Sequence, residues 1–242
     1  MEERLQKIIA NKGLCSRREA EKWIEEGRVK VDGQVAHIGQ RVDPQEHDIV
    51  VNGKSISNLH PPRYVIAVNK PRGYVCSNQD DFADKLVFEL LPRQLQRLKL
   101  FVAGRLDKDS SGLVIITNDG AFAQQLTHPS RAIEKHYLVS FKPPLSPEEF
   151  PWFLQGQRVE GELLKFEKII PPRRDKPPYS SLEVVLCHGK KREIRRLFKH
   201  SRRDVKKLQR VSIGRFALKG LAPGGHRVLN EKEIQSLLAT RG

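Results

Sequence analysis

The sequence predicts an α+β protein in two parts: a small ααββ unit, then a larger domain built on a mixed, mainly antiparallel sheet with flanking helices. Three observations predict it. The start of the chain changes from helical to alternating hydrophobic periodicity, a Pro-containing polar stretch at 57–62 interrupts both patterns, and the remainder alternates strand-like with helical runs. We therefore expect a first domain over 1–60 and a second over 61–242.

Two short helices and two hairpins account for the first part. The apolar residues of 5–9 share one helical face, which predicts the first helix. Ser16 and Glu19 have the capping-box spacing that begins a second. Valines then alternate around Asp-Gly at 32–33 and Asn-Gly at 52–53, which are strong signals for two-residue hairpin turns.

In the larger part, short runs rich in β-branched residues predict strands, and helical runs lie between them. The predicted strands are 64–68, 113–117, 137–141 and 182–186. The predicted helices are 119–126, 147–154, 191–200 and 231–238. Hairpin-like connections favour antiparallel pairing of these strands.

The charge of the chain favours a polyanionic partner. Lys and Arg number 44 against 29 Asp and Glu, so the formal net charge is +15. Nucleic acid is the leading candidate, although an unspecific basic surface would have the same composition. No apolar run approaches the ~20 residues that span a bilayer, and we expect a cytoplasmic protein. The 3 cysteines have no C-x-x-C spacing, which gives no support to a zinc knuckle or a disulfide framework.

Basic residues gather at the start of the second predicted helix. Arg17, Arg18 and Lys22 could cradle a phosphate there, although charges at helical spacing are more often a solvated face. The segment S-R-R-E-A, followed by G-x-V-x-V-x-G at 27–33, resembles the S4 RNA-binding domain. The resemblance covers nearly all of 1–60 and implies that this unit binds RNA.

Asp107 lies in a loop flanked by Gly104 and Gly112, just before a predicted buried strand. Such a loop can bend and lets a substrate approach. Taken alone, most acidic residues in this setting cap a turn or pair with a cation, so the pattern leaves both a catalytic and a structural role open.

The segment 104–113 resembles the G-R-L-D-x-x-S/T-x-G-L motif of pseudouridine synthases, specifically the branch that acts on ribosomal RNA and often carries an S4 domain. Ser110 takes the Ser/Thr place. Further segments resemble the family's N-K-P-x-G, L-T-H-P, E-K-x-Y and Q-I/V-R-R motifs in order along the chain. These are 69–73, 126–129, 134–137 and 193–196.

What the resemblance implies is isomerisation of a uridine in ribosomal RNA, in which the base leaves C1′, turns and rejoins through C5. No cofactor and no metal is expected. Asp107 would be the catalytic carboxylate, acting either as a nucleophile toward the ribose or as a base on it. We expect a monomer whose partner is ribosomal RNA, free or in pre-ribosomal particles.

The resemblance also assigns roles to other residues. Arg195 would hold Asp107 as an ion pair, with a phosphate contact as its alternative role. Tyr137 would lie against the target base, although core packing is the usual role of a strand tyrosine. Arg105 would help to hold the flipped-out uridine. The remaining RNA contacts are expected from Lys70, Lys135, Arg196 and the basic region 190–210.

Two positions depart from the family pattern: Glu193 stands where Gln is usual, and Ser130 where a longer side chain is common. Two other classes of protein compete with the enzyme. A non-catalytic RNA-binding or ribosome-assembly factor could keep the fold, but loss of Asp107, Tyr137 or Arg195 would have signalled it. An RNA methyltransferase with an S4 domain would need a glycine loop after an early strand, and no convincing one is present.

Overall fold

The structure is a computed structural model and describes residues 1–78 and 85–239. The chain divides into two compact units. The first consists of Met1–Tyr64 together with the two short segments Pro92–Phe101 and Asn118–Gly120, and the second is formed by the rest of the described chain.

The first unit contains three helices and two small sheets among its described residues. Its elements are β1 (Glu3–Arg4), α1 (Leu5–Asn11), α2 (Arg17–Glu25), β2 (Val29–Val31), β3 (Gln34–Val35), β4 (Arg41–Val42), β5 (Ile49–Val51), β6 (Lys54–Ser55) and α3 (Arg93–Gln96). Strand β1 pairs with β4, and an antiparallel sheet has the order β3-β2-β5-β6.

The predicted helices and hairpins of this unit are confirmed. The Glu19 amide donates to Ser16 Oγ over 3.2 Å, and the Ser16 amide donates to the Glu19 carboxylate over 3.4 Å, which is the reciprocal capping box. Both hairpin turns have left-handed backbones, with φ of 49° and 82° at Asp32 and Gly33 and similar values at 52–53. The short β1–β4 pair was not predicted, because two residues carry too little periodicity.

The second unit is built on one large sheet. The strands of the second unit are β7 (Val65–Lys70), β8 (Phe101–Ala103), β9 (Ser111–Thr117), β10 (Lys135–Leu145), β11 (Gln157–Val159), β12 (Glu162–Leu164), β13 (Lys168–Ile170), β14 (Tyr179–Leu186), β15 (Asp204–Ile213), β16 (Phe216–Ala217) and β17 (His226–Val228). Its helices are α4 (Gly120–Thr127), α5 (Phe150–Gln155), α6 (Glu193–His200) and α7 (Glu231–Leu238). Short 3₁₀ turns span Val87–Leu90, Pro129–Arg131 and Pro147–Glu149.

The main path of the sheet has the order β13-β14-β10-β15-β9-β7-β17, with β16 beside β15 and β8 beside β9; β11 and β12 form a separate hairpin. Along that path the pairs are antiparallel except β9 with β15, which run parallel. The predicted mixed, mainly antiparallel sheet is therefore confirmed. The predicted helix at 147–154 is split, because a 3₁₀ turn precedes α5.

Strand β15 was missed by the sequence prediction, yet it lies between β10 and β9 near the middle of the sheet. Its register aligns four residues across four adjacent strands. Tyr137 lies opposite Arg210, Arg210 opposite Gly112, and Gly112 opposite Lys70. These four residues form one row across the sheet. The loop that carries Asp107 ends next to this row, so the row marks the position of the candidate site.

Within the described ranges, no helix is long and apolar enough to cross a membrane. Across the same ranges, no group of three or more His, Cys, Asp and Glu side chains is arranged to hold a metal ion.

Candidate active site

The loop between β8 and β9 carries Asp107. Its neighbours Leu106 and Ser110 are buried, whereas the Asp107 side chain keeps 34% of its surface exposed. The Asp107 carbonyl accepts a hydrogen bond from the Ser110 amide over 3.1 Å, and the Lys108 carbonyl accepts one from the Gly73 amide over 2.8 Å. The loop is therefore anchored around a carboxylate that a substrate can reach.

Arg210 binds both ends of this loop from within the sheet. Its Nε donates to the Leu113 carbonyl over 2.7 Å and its Nη1 to the Arg105 carbonyl over 3.4 Å. The side chain is buried, and Nη2 has no hydrogen-bond partner among the described residues. The prediction that Arg210 belongs to a phosphate-binding surface is therefore corrected: its guanidinium supports the loop internally.

Two arginines of the 190–196 segment face the loop carboxylates. Arg192 Nη1 lies 3.5 Å from Asp107 Oδ2. Both terminal nitrogens of Arg192 donate hydrogen bonds to the Asp109 carboxylate, over 3.1 and 3.0 Å. Burial raises the pKa of Asp109, but the Arg192 hydrogen bond and the charges of Arg195 and Arg192 outweigh it and lower that pKa overall. Asp109 is thus held ionised as part of the framework.

The ion pair expected between Arg195 and Asp107 differs in the structure. Arg195 Nε lies 3.2 Å from the carboxylate of Asp109, and its Nη2 donates to the Asp109 carbonyl over 3.0 Å. The cation that pairs with Asp107 is Arg192, whose left-handed backbone, with φ of 50°, precedes α6. Sequence reasoning missed Arg192 and Asp109, because spacing alone does not distinguish carboxylates two residues apart.

Tyr137 lies in β10, between Val184 of β14 and Arg210 of β15, and its side chain is 7% exposed. Adjacent strands lie about 4.8 Å apart, so two strand spacings separate Tyr137 from Gly112 by roughly 10 Å. The sheet therefore brings Tyr137 level with Gly112, the second residue of β9, close to where the Asp107 loop ends.

Lys70 ends β7 at the other end of the row. Its side chain is fully buried, and Nζ donates to the carbonyls of Pro71 over 3.0 Å and Tyr74 over 2.8 Å. Burial lowers the pKa of Lys70, although the charges of Asp109 and Asp107 oppose the shift. The predicted phosphate contact of Lys70 is corrected, because its ammonium group is inside the protein and braces the 70–74 turn.

Lys135 is a second half-buried cation near the row. Its Nζ donates to the Cys187 carbonyl over 3.2 Å. Burial, reinforced by the charge of Arg210, lowers the pKa of Lys135 to about 8. A substantial neutral fraction is thus present slightly above neutral pH, and a nearby phosphate would restore the charge.

The other predicted RNA-binding residues have different settings. Arg105 is exposed beside Asp107, and the cations of α2 are exposed on the first unit; these cations are Arg17, Arg18 and Lys22. Arg196 is mostly engaged within the second unit. Its guanidinium contacts the carboxylates of Glu160 and Glu162 and donates to the Val159 carbonyl over 2.9 Å. Arg196 thus braces α6 against the β11–β12 hairpin, and its contact with RNA stays a prediction.

Glu193, which replaces the family's usual Gln, is 3% exposed at the start of α6. One carboxylate oxygen accepts from His188 Nδ1 over 3.0 Å and from the Lys190 amide over 3.2 Å, while the other has no hydrogen-bond partner among the described residues. Burial raises the pKa of Glu193, and the charge of His188 offsets only part of that shift.

We expect Glu193→Gln to stabilise the protein at neutral pH by about 1 kcal/mol, because a buried charge with an unpaired oxygen is costly. A raised carboxyl pKa favours folding at low pH and loses that benefit as pH rises through the folded value. The advantage of the Gln variant should therefore shrink toward the ordinary carboxyl pKa, about 4.3. Thermal unfolding across this pH range measures it, with exposed Glu148→Gln as the control. An equal gain at all pH values would contradict it.

Comparison with known sequences identifies the class of protein to which the chain belongs. Residues 64–200 match the sequence profile of the family described as RNA pseudouridylate synthase, and residues 3–50 match the S4 domain profile. Because the first match covers more than half of the chain, the protein belongs to the RNA pseudouridylate synthase family.

Individual relatives agree with this placement. The ribosomal large subunit pseudouridine synthase B of Bacillus subtilis is 36% identical over 98% of this chain and 96% of its own length. A putative ribosomal large subunit pseudouridine synthase of Arabidopsis thaliana chloroplasts is 35% identical, and the Pseudomonas aeruginosa synthase B is 36% identical. The chain spans 60% and 61% of the lengths of these last two relatives.

Among solved structures, a crystal structure of a pseudouridylate synthase superposes with a TM-score of 0.69 at 30% identity. The match covers 97% of this chain and 99% of that one. The sheet and the S4-like unit thus recur together in a solved relative.

Proposed function

We propose that the protein isomerises a specific uridine of large-subunit ribosomal RNA to pseudouridine, with Asp107 as its catalytic carboxylate. The observation that carries the proposal is the anchored, accessible carboxylate beside Arg192, in a loop fixed by Arg210 and the Gly73 amide. The chain's match to the synthase of Bacillus subtilis over nearly its full length supports ribosomal RNA of the large subunit as the substrate.

The proposed reaction breaks the bond between uracil N1 and ribose C1′ and forms a bond between C5 and C1′. The proton lost from C5 balances the one gained at N1, so the reaction is redox neutral. Asp107 would either attack the ribose, holding it while the base turns, or remove a proton from it. In both routes Arg192, whose Nη1 lies 3.5 Å from Asp107 Oδ2, would hold the carboxylate in place by its positive charge.

Tyr137 and Arg105 complete the proposed site. Tyr137 would pack against the released uracil and assist proton transfer at C5, and its place level with Gly112 supports that role. A uridine in folded RNA must first leave its stack, which costs a few kcal/mol. Arg105 is exposed and directly precedes the buried Leu106. In this position its guanidinium would stabilise the extruded nucleotide.

Arg195 would act as a positioning residue, since it holds Asp109 and the following turn in place. Lys135 would contact a phosphate of the substrate. We also propose that the enzyme is a monomer that acts in the cytoplasm.

The direct experiment is incubation of purified protein with large-subunit ribosomal RNA, without added metal or nucleotide, followed by mapping of pseudouridines. Conversion at one or a few uridines is expected. Absence of conversion in both naked RNA and pre-ribosomal particles would instead favour a non-catalytic RNA-binding factor.

We propose that residues 1–60 supply a separate part of RNA affinity, through the exposed cations of α2. Changing Arg17, Arg18 and Lys22 together to Ala should weaken RNA binding. The slope of log K against log salt concentration should become shallower by about 0.7–0.9 for each phosphate contact that is lost. Binding titrations at several salt concentrations measure this. The control is a triple change of exposed acidic residues to Ala; an unaltered salt slope in the Arg17, Arg18 and Lys22 variant would rule out the proposed role.

A further inference from the structure

The second unit has a cavity of about 310 Å³ at the C-terminal end of α6. It is lined by Glu149, Trp152, Phe153 and the segment 200–203. Helix α6 carries the arginines of the candidate active site near its N-terminal end. Because a helix rises 1.5 Å per residue, His200 lies about 7.5 Å along the axis from Arg195.

One wall of the cavity is aromatic and held in a fixed orientation. The rings of Trp152 and His200 stack with centroids 5.8 Å apart and planes inclined by 22°. Trp152 also meets the buried Phe153 edge-on at 4.8 Å, and Phe153 packs against Phe198 and Phe166. Trp152 remains partly exposed, so a planar group can reach it without rearrangement of the core.

The charged groups of the lining leave one cation uncompensated. Arg203 donates to both carboxylate oxygens of Glu149 over 2.7 Å and also binds the Pro144 carbonyl, so Arg203 and Glu149 neutralise each other. Arg202 is exposed, and within the described part of the chain its guanidinium has no hydrogen bond or ion pair. Its left-handed backbone, with φ of 60°, ends the turn after α6.

The negative end of the α6 dipole does not cancel this cation. The carbonyls of Leu197, Phe198 and Lys199 each accept a backbone hydrogen bond from the residues 201–203 that follow the helix. Satisfied carbonyls expose less partial negative charge to a ligand. The cavity therefore combines a stacking wall with an available positive charge.

We propose that this cavity binds one nucleotide of single-stranded RNA next to, but distinct from, the target uridine. The base would stack on Trp152 and the phosphate would bind Arg202. Aromatic faces interleaved with cations are the usual platform for single-stranded RNA. The shared helix α6 places the cavity within reach of a strand that also enters the active site. The inference rests on the proposed function, since it takes the substrate to be RNA.

Fluorescence of Trp152 tests the proposal. The chain has 2 tryptophans, so Trp23→Phe leaves Trp152 as the reporter, and Asp107→Asn removes turnover. In this background a short single-stranded oligouridylate should quench the emission, whereas an abasic strand of equal length and an acidic peptide should not. Because no isomerisation is measured, failure here is distinguishable from failure of the proposed activity.

Matched variants locate the ligand. Asparagine tolerates the left-handed backbone at this position. Arg202→Asn should weaken binding of the oligouridylate at least about fivefold, which corresponds to a loss of about 1 kcal/mol of binding free energy. Lys232→Ala removes an exposed cation of α7 and should leave affinity unchanged. Absent quenching, equal quenching by the abasic strand or the peptide, or equal affinities of the two variants would each overturn the proposal.

Discussion

Replacing Asp107 with asparagine is expected to abolish pseudouridine formation while RNA binding and folding are retained. The amide has the same shape but cannot attack the ribose or accept its proton at neutral pH. Because removal of a general base alone costs about 10²–10⁴-fold in rate, conversion should fall by at least that factor. The side chain is 34% exposed, so the unfolding temperature should hardly change.

Asp109→Asn is the matched control for this prediction. Asp109 lies two residues further along the same loop and receives the ion pairs of Arg192 and Arg195. Its loss should disturb the loop and lower both stability and rate, but leave measurable conversion. Single-turnover rates on one RNA substrate compare the two variants. If Asp109→Asn abolished conversion and Asp107→Asn retained it, the catalytic assignment would be wrong.

The second large effect is expected from Gly112→Ala, which should destabilise the protein and disable the loop. Gly112 has φ of 106°, and a Cβ atom there would lie 2.2 Å from the carbonyl oxygen of Arg210. Since Arg210 O belongs to the neighbouring strand β15, only backbone movement could relieve the clash. Strain and overpacking each cost about 1–3 kcal/mol, so we expect a loss of roughly 3 kcal/mol or more.

Gly161→Ala separates the clash from backbone strain. Gly161 also has a positive φ, 81°, but nothing lies within 4 Å of a Cβ atom built on it. Thermal unfolding of both variants should show a small decrease for Gly161→Ala and a much larger one for Gly112→Ala. Similar decreases would mean that contact with Arg210 does not make Gly112 necessary.

The elements with strong local signals could be predicted from the sequence. Hairpin turns at 32–33 and 52–53 need left-handed backbones that Asp-Gly and Asn-Gly supply, and the capping box of α2 depends on two side chains three residues apart. The loop of Asp107 was found because its resemblance to a family motif extends over ten consecutive residues, 104–113.

Strand β15 could not be predicted, because its cations conceal the alternation of buried residues. Leu208, Arg210 and Ser212 are all buried at alternate positions, but only Leu208 is apolar. A lysine or arginine is almost never fully buried unless its charged group finds partners. Those partners are backbone carbonyls distant in sequence, so the internal roles of Lys70 and Arg210 appear only in the folded chain.

The ion-pair partners of Asp107 and Asp109 could not be predicted from the sequence either. The motif aligns Arg195 with the residue expected to pair with Asp107, yet the path of α6 places it against Asp109 and leaves Arg192 to face Asp107. A left-handed residue at the start of α6 determines which guanidinium reaches which carboxylate. Such a choice depends on the path of the folded backbone, which residue types do not encode locally.

The most direct test of the proposed function is a pseudouridine map of large-subunit ribosomal RNA from cells that lack the protein. We expect one or a few pseudouridines to disappear, to return with the unaltered protein, and to remain absent with an equal amount of the Asp107→Asn variant. A map that is unchanged by loss of the protein, or fully restored by Asp107→Asn, would contradict it.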